Sequence, residues 1–349
     1  MKQFFVRLFI LVFIVFILVN CFEALVEVGD ERSAEDRALK KELAEFEGKK
    51  SVAQKVKVVE PEVQAQKAVV KRRVPVELLQ RPLTSSLNRK VKGVRSGIVY
   101  DSTNRKIFWQ KSMEKAVPIA SMTKMMTCLL TVEKIQRGQL NLKQKYKVTP
   151  TCTRAKPSKV WLDTREVTDL ESLCRAMMIK SANDAAHLIS EIVAGDAKKF
   201  VDMMNLRAKQ IGLNSLYFYN ANGLPEGRTR KVNIGSAKHL AFLAERLLRY
   251  PNAVRWASTK TDKFITSFRQ RTGQGAYSLV NHNKLLWKFP GVNGMKTGFI
   301  NESGFCSTVT CQKEGRTLIV VVTGLDNARN RDNLIAELLE WGFEQKPNL

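Results

Sequence analysis

The stretch that most constrains the fold of this chain runs from residue 118 to residue 135. Apolar residues recur there at intervals of three and four, the spacing of a helix that packs one face against a core. They are Met122, Met125, Met126, Leu129, Leu130 and Ile135. Ser121 and Lys124 stand three residues apart at its start and therefore share one helical face. The stretch predicts a globular core with a polar pair at the beginning of a buried helix.

Ser121 and Lys124 together can carry nucleophilic chemistry. A serine hydroxyl is a weak nucleophile unless a base lies beside it, and a lysine is a base only where burial or another cation keeps it neutral. A second Ser-x-x-Lys match, Ser112 to Lys115, lies in a polar connection between a strand-like run and a proline. Its context is not helical, so Ser121 is the predicted nucleophile.

The charge of the chain points to an anionic partner. Its 349 residues are enough for one large domain or two smaller ones, and the formal net charge is +25. Residues 91–349 hold 41 basic and 21 acidic side chains, so the excess belongs to the globular part. No RNP-like motif, metal-finger spacing or single basic block accompanies it. We therefore expect no nucleic acid partner and favour a membrane or an anionic envelope surface.

The N-terminus predicts export. Lys2 and Arg7 precede an apolar run of twelve residues, Leu8–Val19, which suits a signal-peptide core better than a membrane span. The positive flank would stay in the cytoplasm. Residues 1–24 are predicted to be a signal peptide or an N-terminal membrane anchor, and Cys21 stands in the outline of a lipid-attachment motif. The expected location is the periplasm or the outer face of the cytoplasmic membrane.

The rest of the chain divides into a tether and a folded domain. Residues 25–84 are rich in charge with little regular apolar period, and we interpret them as a charged tether or stem. Residues 85–346 are predicted to form one domain. Strand-like runs at 97–100 and 106–109 predict one hairpin, and runs at 304–310 and 317–323 predict another. Helical patterns lie between the hairpins and at 330–341, so the fold class is α+β.

Two finer predictions concern a helix start and the cysteines. Thr168 and Glu171 have the spacing of a capping box, which predicts a helix behind them. Six cysteines in this length do not form a disulfide scaffold. Cys306 and Cys311 are five residues apart in a strand-like run and should point to opposite faces. Cys128 and Cys174 lie on apolar stripes and are predicted core residues.

Two further motifs follow the Ser121 stretch, Ser181-Ala182-Asn183 and then Lys296-Thr297-Gly298. This is the order of motifs in serine β-lactamases and penicillin-binding proteins. Each is a weak signal alone, but one falls between two predicted helices and the other before a predicted hairpin. Together with Ser121-x-x-Lys124 they indicate an acyl-transfer site.

Over residues 85–346 the chain resembles the low-molecular-mass penicillin-binding proteins, the D-alanyl-D-alanine carboxypeptidase family. The likeness includes residues 118–127, 180–186, 222–224, 281–286, 291–298 and 341–343. The resemblance implies a β-lactamase/transpeptidase-like fold: a five-stranded antiparallel sheet flanked by helices, with an all-helical subregion. It implies no metal and no organic cofactor. The implied partners are peptidoglycan stem peptides, with β-lactams as covalent inhibitors.

The resemblance also implies catalytic roles. Ser121 would attack the carbonyl of the terminal peptide bond and become the acyl-enzyme, and Lys124 would take its proton. Ser181 would relay that proton to the departing amine. Asn183 would bind the substrate amide and hold Lys124. The implied reaction is removal of the terminal D-alanine from stem pentapeptides during cell-wall synthesis and remodelling.

The third motif would bind the substrate. Lys296 and Thr297 would meet the substrate carboxylate, while Gly298 lets the strand approach closely. Backbone amides of Ser121 and Phe299 would form the oxyanion hole.

His282 stands where some family members have an arginine that binds the terminal carboxylate, so it is a candidate contact. Asn293 stands where the family often has an aspartate.

Three other functions remain as alternatives. A D,D-endopeptidase that cuts peptidoglycan crosslinks uses the same residues. A β-lactamase is disfavoured because no Glu-x-x-Leu-Asn lies between Ser181 and Lys296, and Ala182 replaces the aspartate of the middle motif. A basic tethered protein that binds the envelope would explain the charge but not the three motifs.

Overall fold

The computed structural model describes residues 75–347. The predictions for residues 1–24, for Cys21 and for most of the tether at 25–84 lie outside this range and stay predictions. Near the end of the predicted tether, Glu77–Leu78 pairs with Lys106 and Ile107 of the sheet.

Twelve strands and eleven helices make up the described part. The strands are β1 (Glu77–Leu78), β2 (Gly97–Asp101), β3 (Lys106–Lys111), β4 (Val117–Pro118), β5 (Lys145–Lys147), β6 (Val167–Asp169), β7 (Ile234–Gly235), β8 (Thr261–Phe264), β9 (Tyr277–Val280), β10 (Val292–Ile300), β11 (Gly304–Lys313) and β12 (Arg316–Leu325). The helices are α1 (Ser85–Lys90), α2 (Lys124–Gln136), α3 (Pro150–Thr153), α4 (Leu170–Ile179), α5 (Asn183–Ala194), α6 (Ala197–Gln210), α7 (Ala237–Leu247), α8 (Pro251–Ser258), α9 (Ser267–Arg271), α10 (Leu285–Lys288) and α11 (Ala328–Glu344). Single 3₁₀ turns, Val91–Gly93 and Ala120–Thr123, follow α1 and precede α2.

The main sheet has the strand order β1-β3-β2-β12-β11-β10. Five of these strands are antiparallel neighbours, as predicted, and the two-residue β1 adds a sixth in parallel with β3. Both predicted hairpins are confirmed. Glu314 and Gly315 close the second one with positive φ values of 50° and 74°, the conformation that two-residue hairpin turns prefer.

Both faces of the sheet are buried, and side chains alternate between two cores. On β12, Ile319 and Val321 face the core that contains α2, whereas Leu318, Val320 and Val322 face the core under α11 and α1. The same alternation places Cys306 in the first core and Cys311 in the second, so their predicted opposite orientation is confirmed. Cys128 and Cys174 are buried, as predicted.

The helix behind residue 168 is present, but the predicted capping box is wrong by one residue. Asp169 is the N-cap of α4, and its side chain accepts a hydrogen bond of 2.8 Å from the Ser172 amide. Thr168 belongs to β6 instead, where it pairs with Tyr146. Strand pairing therefore extends to Asp169 and delays the helix start.

Residues 75–347 meet neither the requirements of a membrane-spanning helix nor those of a metal site. Among them, no helix is both long enough and apolar enough to cross a membrane. The same residues contain no group of three or more His, Cys, Asp or Glu side chains placed to hold a metal ion.

Candidate active site

Ser121 lies in the 3₁₀ turn that leads into α2, and Lys124 is the first residue of that helix. The Lys124 ammonium nitrogen Nζ lies 2.9 Å from Ser121 Oγ, 2.7 Å from Asn183 Oδ1 and 2.7 Å from the carbonyl oxygen of Asn222. The Lys124 side chain is fully buried. Burial first, and then the positive charge of Lys296, hold the pKa of Lys124 well below its ordinary value.

These three neighbours define how a neutral Lys124 would be oriented. The oxygens of Asn183 and Asn222 can only accept hydrogen bonds, so they take the two N–H groups of a neutral amine. The remaining lone pair then faces the Ser121 hydroxyl. The arrangement can accept the proton of Ser121 as that oxygen attacks a carbonyl.

A tight loop packs against the turn that carries Ser121. Ala120 has a positive φ of 47°, and a Cβ atom at Gly223 would come within 2.0 Å of the Ala120 carbonyl oxygen. Only glycine fits there. This contact places the carbonyl of the neighbouring Asn222 on Lys124.

The second motif lies in the connection between α4 and α5. Ser181 is buried and has a positive φ of 61°. Asn183 is held from the opposite wall: its Nδ2 donates to the Lys156 carbonyl at 2.8 Å, and its backbone amide donates to the Ser158 carbonyl at 2.7 Å. This fixes the side chain that orients Lys124. The proton relay through Ser181 stays a prediction.

The third motif lies on the edge strand β10. Lys296 is buried, and burial and then the nearby guanidinium of Arg331 lower its pKa to about 7. A Cβ atom at Gly298 would lie 3.0 Å from the Ile119 carbonyl oxygen and 3.1 Å from the Ala120 Cβ. The strand therefore approaches the turn that carries Ser121 as closely as a glycine allows.

His282 lies at the mouth of the site between two buried asparagines. Asn281 Nδ2 donates to the carbonyls of Ala257 and Thr259, and Asn283 Nδ2 donates to the Gly294 carbonyl. These two amides fix the turn that carries His282.

Four lysines surround the His282 imidazole. Packing around the ring lowers its pKa, and the charges of the lysines, of which Lys296 and Lys180 act most strongly, lower it further. His282 is therefore neutral at pH 7, and the positive charge here comes from lysine.

The predicted residues meet in one cleft of about 420 Å³. Seven of the nine line it: Ser121, Ser181, Asn183, His282, Thr297, Gly298 and Phe299. Lys124 and Lys296 are buried behind them. Phe299 is 49% exposed and stacks on Phe305, with ring centroids 4.2 Å apart. The oxyanion hole at the amides of Ser121 and Phe299 stays a prediction.

Sequence reasoning missed Arg331 and Asp332, which also line the cleft. Both are buried, and the Arg331 guanidinium donates to Asp332 Oδ1 at 2.9 and 2.7 Å. They belong to α11, which the sequence predicts from its apolar period alone. A pair of charges just inside a helix start, next to a buried stripe, is the signal that could have identified them.

Comparisons with known proteins agree with this geometry. A family model described as D-alanyl-D-alanine carboxypeptidase matches residues 86–327. A Bacillus subtilis D-alanyl-D-alanine carboxypeptidase, DacF, is 29% identical over 262 residues, which cover 75% of this chain and 64% of the relative. A D-alanyl-D-alanine endopeptidase of Haemophilus influenzae is 27% identical over 237 residues, covering 67% of this chain and 75% of the relative.

A solved structure shares the fold. Penicillin-binding protein D2 of Listeria monocytogenes, in its ampicillin-bound form, is 27% identical and superposes with a TM-score of 0.63, covering 72% of this chain and 98% of that one. DacF and two other curated carboxypeptidase relatives are longer proteins, and the chain spans 55 to 64% of their lengths. The family model covers more than half of this chain, and solved relatives of the chain are low-molecular-mass penicillin-binding proteins. The chain therefore belongs to the D-alanyl-D-alanine carboxypeptidase family.

Proposed function

We propose that this chain is a serine D,D-carboxypeptidase that removes the terminal D-alanine from peptidoglycan stem pentapeptides, and that β-lactams acylate the same serine. The observation that carries the proposal is the placement of Lys124. Its Nζ lies 2.9 Å from Ser121 Oγ and is held by Asn183 and Asn222 in the orientation of a neutral base. Names of relatives and of the ampicillin-bound structure support the same activity.

Acylation follows from these positions. Ser121 Oγ attacks the carbonyl carbon of the last peptide bond and gives its proton to Lys124. The developing oxyanion is held by the backbone amides of Ser121 and Phe299. The bond between the acyl carbon and the amine then breaks, and D-alanine leaves with a proton that Lys124 returns through Ser181.

In deacylation a water molecule is the nucleophile and Ser121 is the leaving group. A water molecule attacks the ester carbonyl on Ser121, and Lys124 takes the water proton as general base. The ester bond breaks, Ser121 recovers its proton, and the shortened stem peptide leaves as a carboxylate. Lys296 and Thr297 bind the terminal carboxylate of the incoming substrate, and Arg331 adds positive potential at the same end of the cleft.

The proposed location is outside the cytoplasmic membrane, where peptidoglycan lies. The basic flank and the apolar run Leu8–Val19 support export, and the excess of basic residues supports contact with a membrane or another anionic envelope surface. There the enzyme would act in cell-wall remodelling.

The experiment compares two serines that share the Ser-x-x-Lys pattern. Wild type, Ser121→Ala and the control Ser112→Ala are incubated with labelled penicillin and then with a stem pentapeptide. Covalent label and D-alanine release should disappear in Ser121→Ala and persist in Ser112→Ala, because only Ser121 lies beside a buried lysine. Label that survives in Ser121→Ala contradicts the proposal.

A D,D-endopeptidase is the second candidate, favoured by the Haemophilus influenzae relative. An endopeptidase differs from a carboxypeptidase in its substrate, because the amine that leaves belongs to a peptidoglycan crosslink and not to a terminal D-alanine. Crosslinked muropeptide dimers incubated with the same variants separate the two: an endopeptidase converts dimers to monomers without releasing D-alanine.

A further inference from the structure

Trp161 lies beside the proposed active site in an unusual conformation. It follows the cleft-lining Ser158 by three residues, and 57% of it is exposed. Its φ is +59°, a left-handed conformation that costs a residue other than glycine about 1–2 kcal/mol. Such backbone persists only where its surroundings enforce it, and it occurs often at ligand sites.

Two buried side chains enforce this conformation. The Asp184 carboxylate accepts from the backbone amides of Val160 at 3.2 Å and Leu162 at 3.1 Å. From the other side, Arg269 Nη2 donates to the carbonyls of Val160 and Trp161, both at 2.8 Å. The backbone around Trp161 is therefore fixed on both sides, while the indole stays in solvent.

The anchoring arginine is itself held in place. Its Nε donates to Glu166 Oε1 at 2.6 Å, and both residues are buried. A buried ion pair costs desolvation free energy, so it is weak evidence for stability alone. Here it orients the guanidinium toward the carbonyls beside Trp161.

The exposed indole is flanked by positive charge. Lys159 Nζ lies 4.4 Å from the ring centroid and also donates to the Thr153 carbonyl. Lys156 is exposed nearby, and its carbonyl is the one that holds Asn183. Asp163, two residues after Trp161, accepts two hydrogen bonds from the Arg165 guanidinium. The surface thus offers a flat apolar face beside ammonium groups.

Distance along the chain limits what can reach this surface. Three residues span at most about 10–11 Å, so Trp161 lies within that distance of Ser158 in the cleft wall. An extended peptide advances about 3.3–3.6 Å per residue. With its scissile bond at Ser121, a stem peptide can therefore bring residues upstream of that bond to the indole.

We propose that Trp161 and Lys159 form a subsite, here called the donor subsite, for the part of the stem peptide upstream of the scissile bond. The inference rests on the proposed peptidase function and specifies its substrate. The occupant is a residue whose apolar chain stacks on the indole and whose free carboxylate meets the lysine. The enzyme accordingly prefers stem peptides with free carboxylates to short neutral mimics.

The experiment measures kcat/KM on two peptides that end in D-alanyl-D-alanine. One is a stem pentapeptide with free upstream carboxylates, and the other is an N-acylated tripeptide without them. In Trp161→Ala the ratio of the pentapeptide value to the tripeptide value should fall about tenfold, the effect of one stacking and one charge contact. Lys159→Ala should lower the ratio less, and Trp161→Phe should retain most of it.

Trp287→Ala tests the competing position, because Trp287 is also exposed and the lysine over its ring, Lys284, lines the cleft. Its ratio should equal that of wild type. Penicillin labelling of Ser121 should be unchanged in Trp161→Ala, which shows that the variant is folded.

An unchanged ratio in Trp161→Ala, or an equal fall for Trp287→Ala, overturns the donor subsite. Wild-type enzyme that releases D-alanine from neither peptide overturns the proposed function instead.

Discussion

Lys124 and Lys296 are two buried lysines in one cleft, and their surroundings separate their roles. Lys124 lies between acceptors that orient a neutral amine toward Ser121. Lys296 donates to the Thr297 carbonyl at 3.0 Å and has its pKa lowered to about 7. Near neutral pH it can therefore be protonated when a carboxylate arrives. One lysine is suited to take a proton and the other to bind an anion.

The shifted pKa of Lys296 predicts how substrate binding depends on pH. Below pH 7 the free enzyme holds Lys296 protonated, and the ammonium attracts the substrate carboxylate. As pH rises through about 7 the charge is lost, so KM for a peptide ending in D-alanyl-D-alanine should rise. Steady-state kinetics across this range measures it.

Lys296→Arg supplies the control for this pH dependence. An arginine stays protonated throughout, so its KM should not rise over the same range. A KM that is flat in wild type, or that rises equally in the variant, would show that Lys296 does not bind the carboxylate.

At the scale of elements, the loop at residues 220–224 and the 3₁₀ turn of Ser121 act as one unit. In Gly223→Ala the new methyl group would meet the Ala120 carbonyl at 2.0 Å, so the loop must move and draw Asn222 away from Lys124. We expect the free energy of unfolding to fall by about 2–4 kcal/mol, as overpacking and backbone strain combine. Penicillin acylation should slow at least about tenfold because the base loses an acceptor.

Gly227 offers a control in the same region. It also has a positive φ, +67°, but nothing lies within 4 Å of the position of a Cβ atom. Gly227→Ala should therefore cost only the left-handed backbone strain, about 1–2 kcal/mol, and leave acylation unchanged. Urea unfolding and labelled penicillin measure both variants, and equal effects would contradict the role given to the close contact.

The sequence predicts those helices and strands whose pattern lies within a few neighbouring residues. The hairpins β2–β3 and β11–β12 and the helix α2 follow from apolar period and turn residues within a few positions. The capping-box pattern places the N-cap of α4 one residue too early, because Asp169 pairs with Lys145 of β5, a partner more than twenty residues away. Long-range pairing of that kind leaves no local pattern.

The candidate site likewise contains residues that the sequence predicts and contacts that it does not. Motif order identified Ser121, Ser181 and Lys296, but not the contacts that make them work. The Asn222 carbonyl on Lys124 and the Lys156 carbonyl on Asn183 are backbone atoms, and any residue type could provide them. The clamp of Asp184 and Arg269 around Trp161 joins residues far apart in the sequence.

At the scale of the whole molecule, the charge of +25 predicts salt-dependent association with anionic surfaces. The full chain should bind vesicles that contain phosphatidylglycerol and ignore vesicles of phosphatidylcholine alone. Cosedimentation should show release as salt rises to about 1 M, where the Debye length is about 3 Å. Binding that is equal on both vesicles, or that salt does not weaken, would contradict an electrostatic origin.

The pairing of β2 with β12 has a consequence for the order in which the protein assembles. Asp101 lies opposite Leu318, so the middle of the sheet joins residues separated by most of the domain, and the helices between β3 and β10 fold as an insertion. Such distant contacts form late, because the intervening chain must first be closed into a loop. Ile119 and Ala120, which lead into Ser121, pack against Gly298 on β10, beyond that insertion. The nucleophile therefore comes early in the sequence, but residues that line the cleft extend to Asp332. We expect the serine to stay inactive until the sheet and the start of α11 have joined the fold.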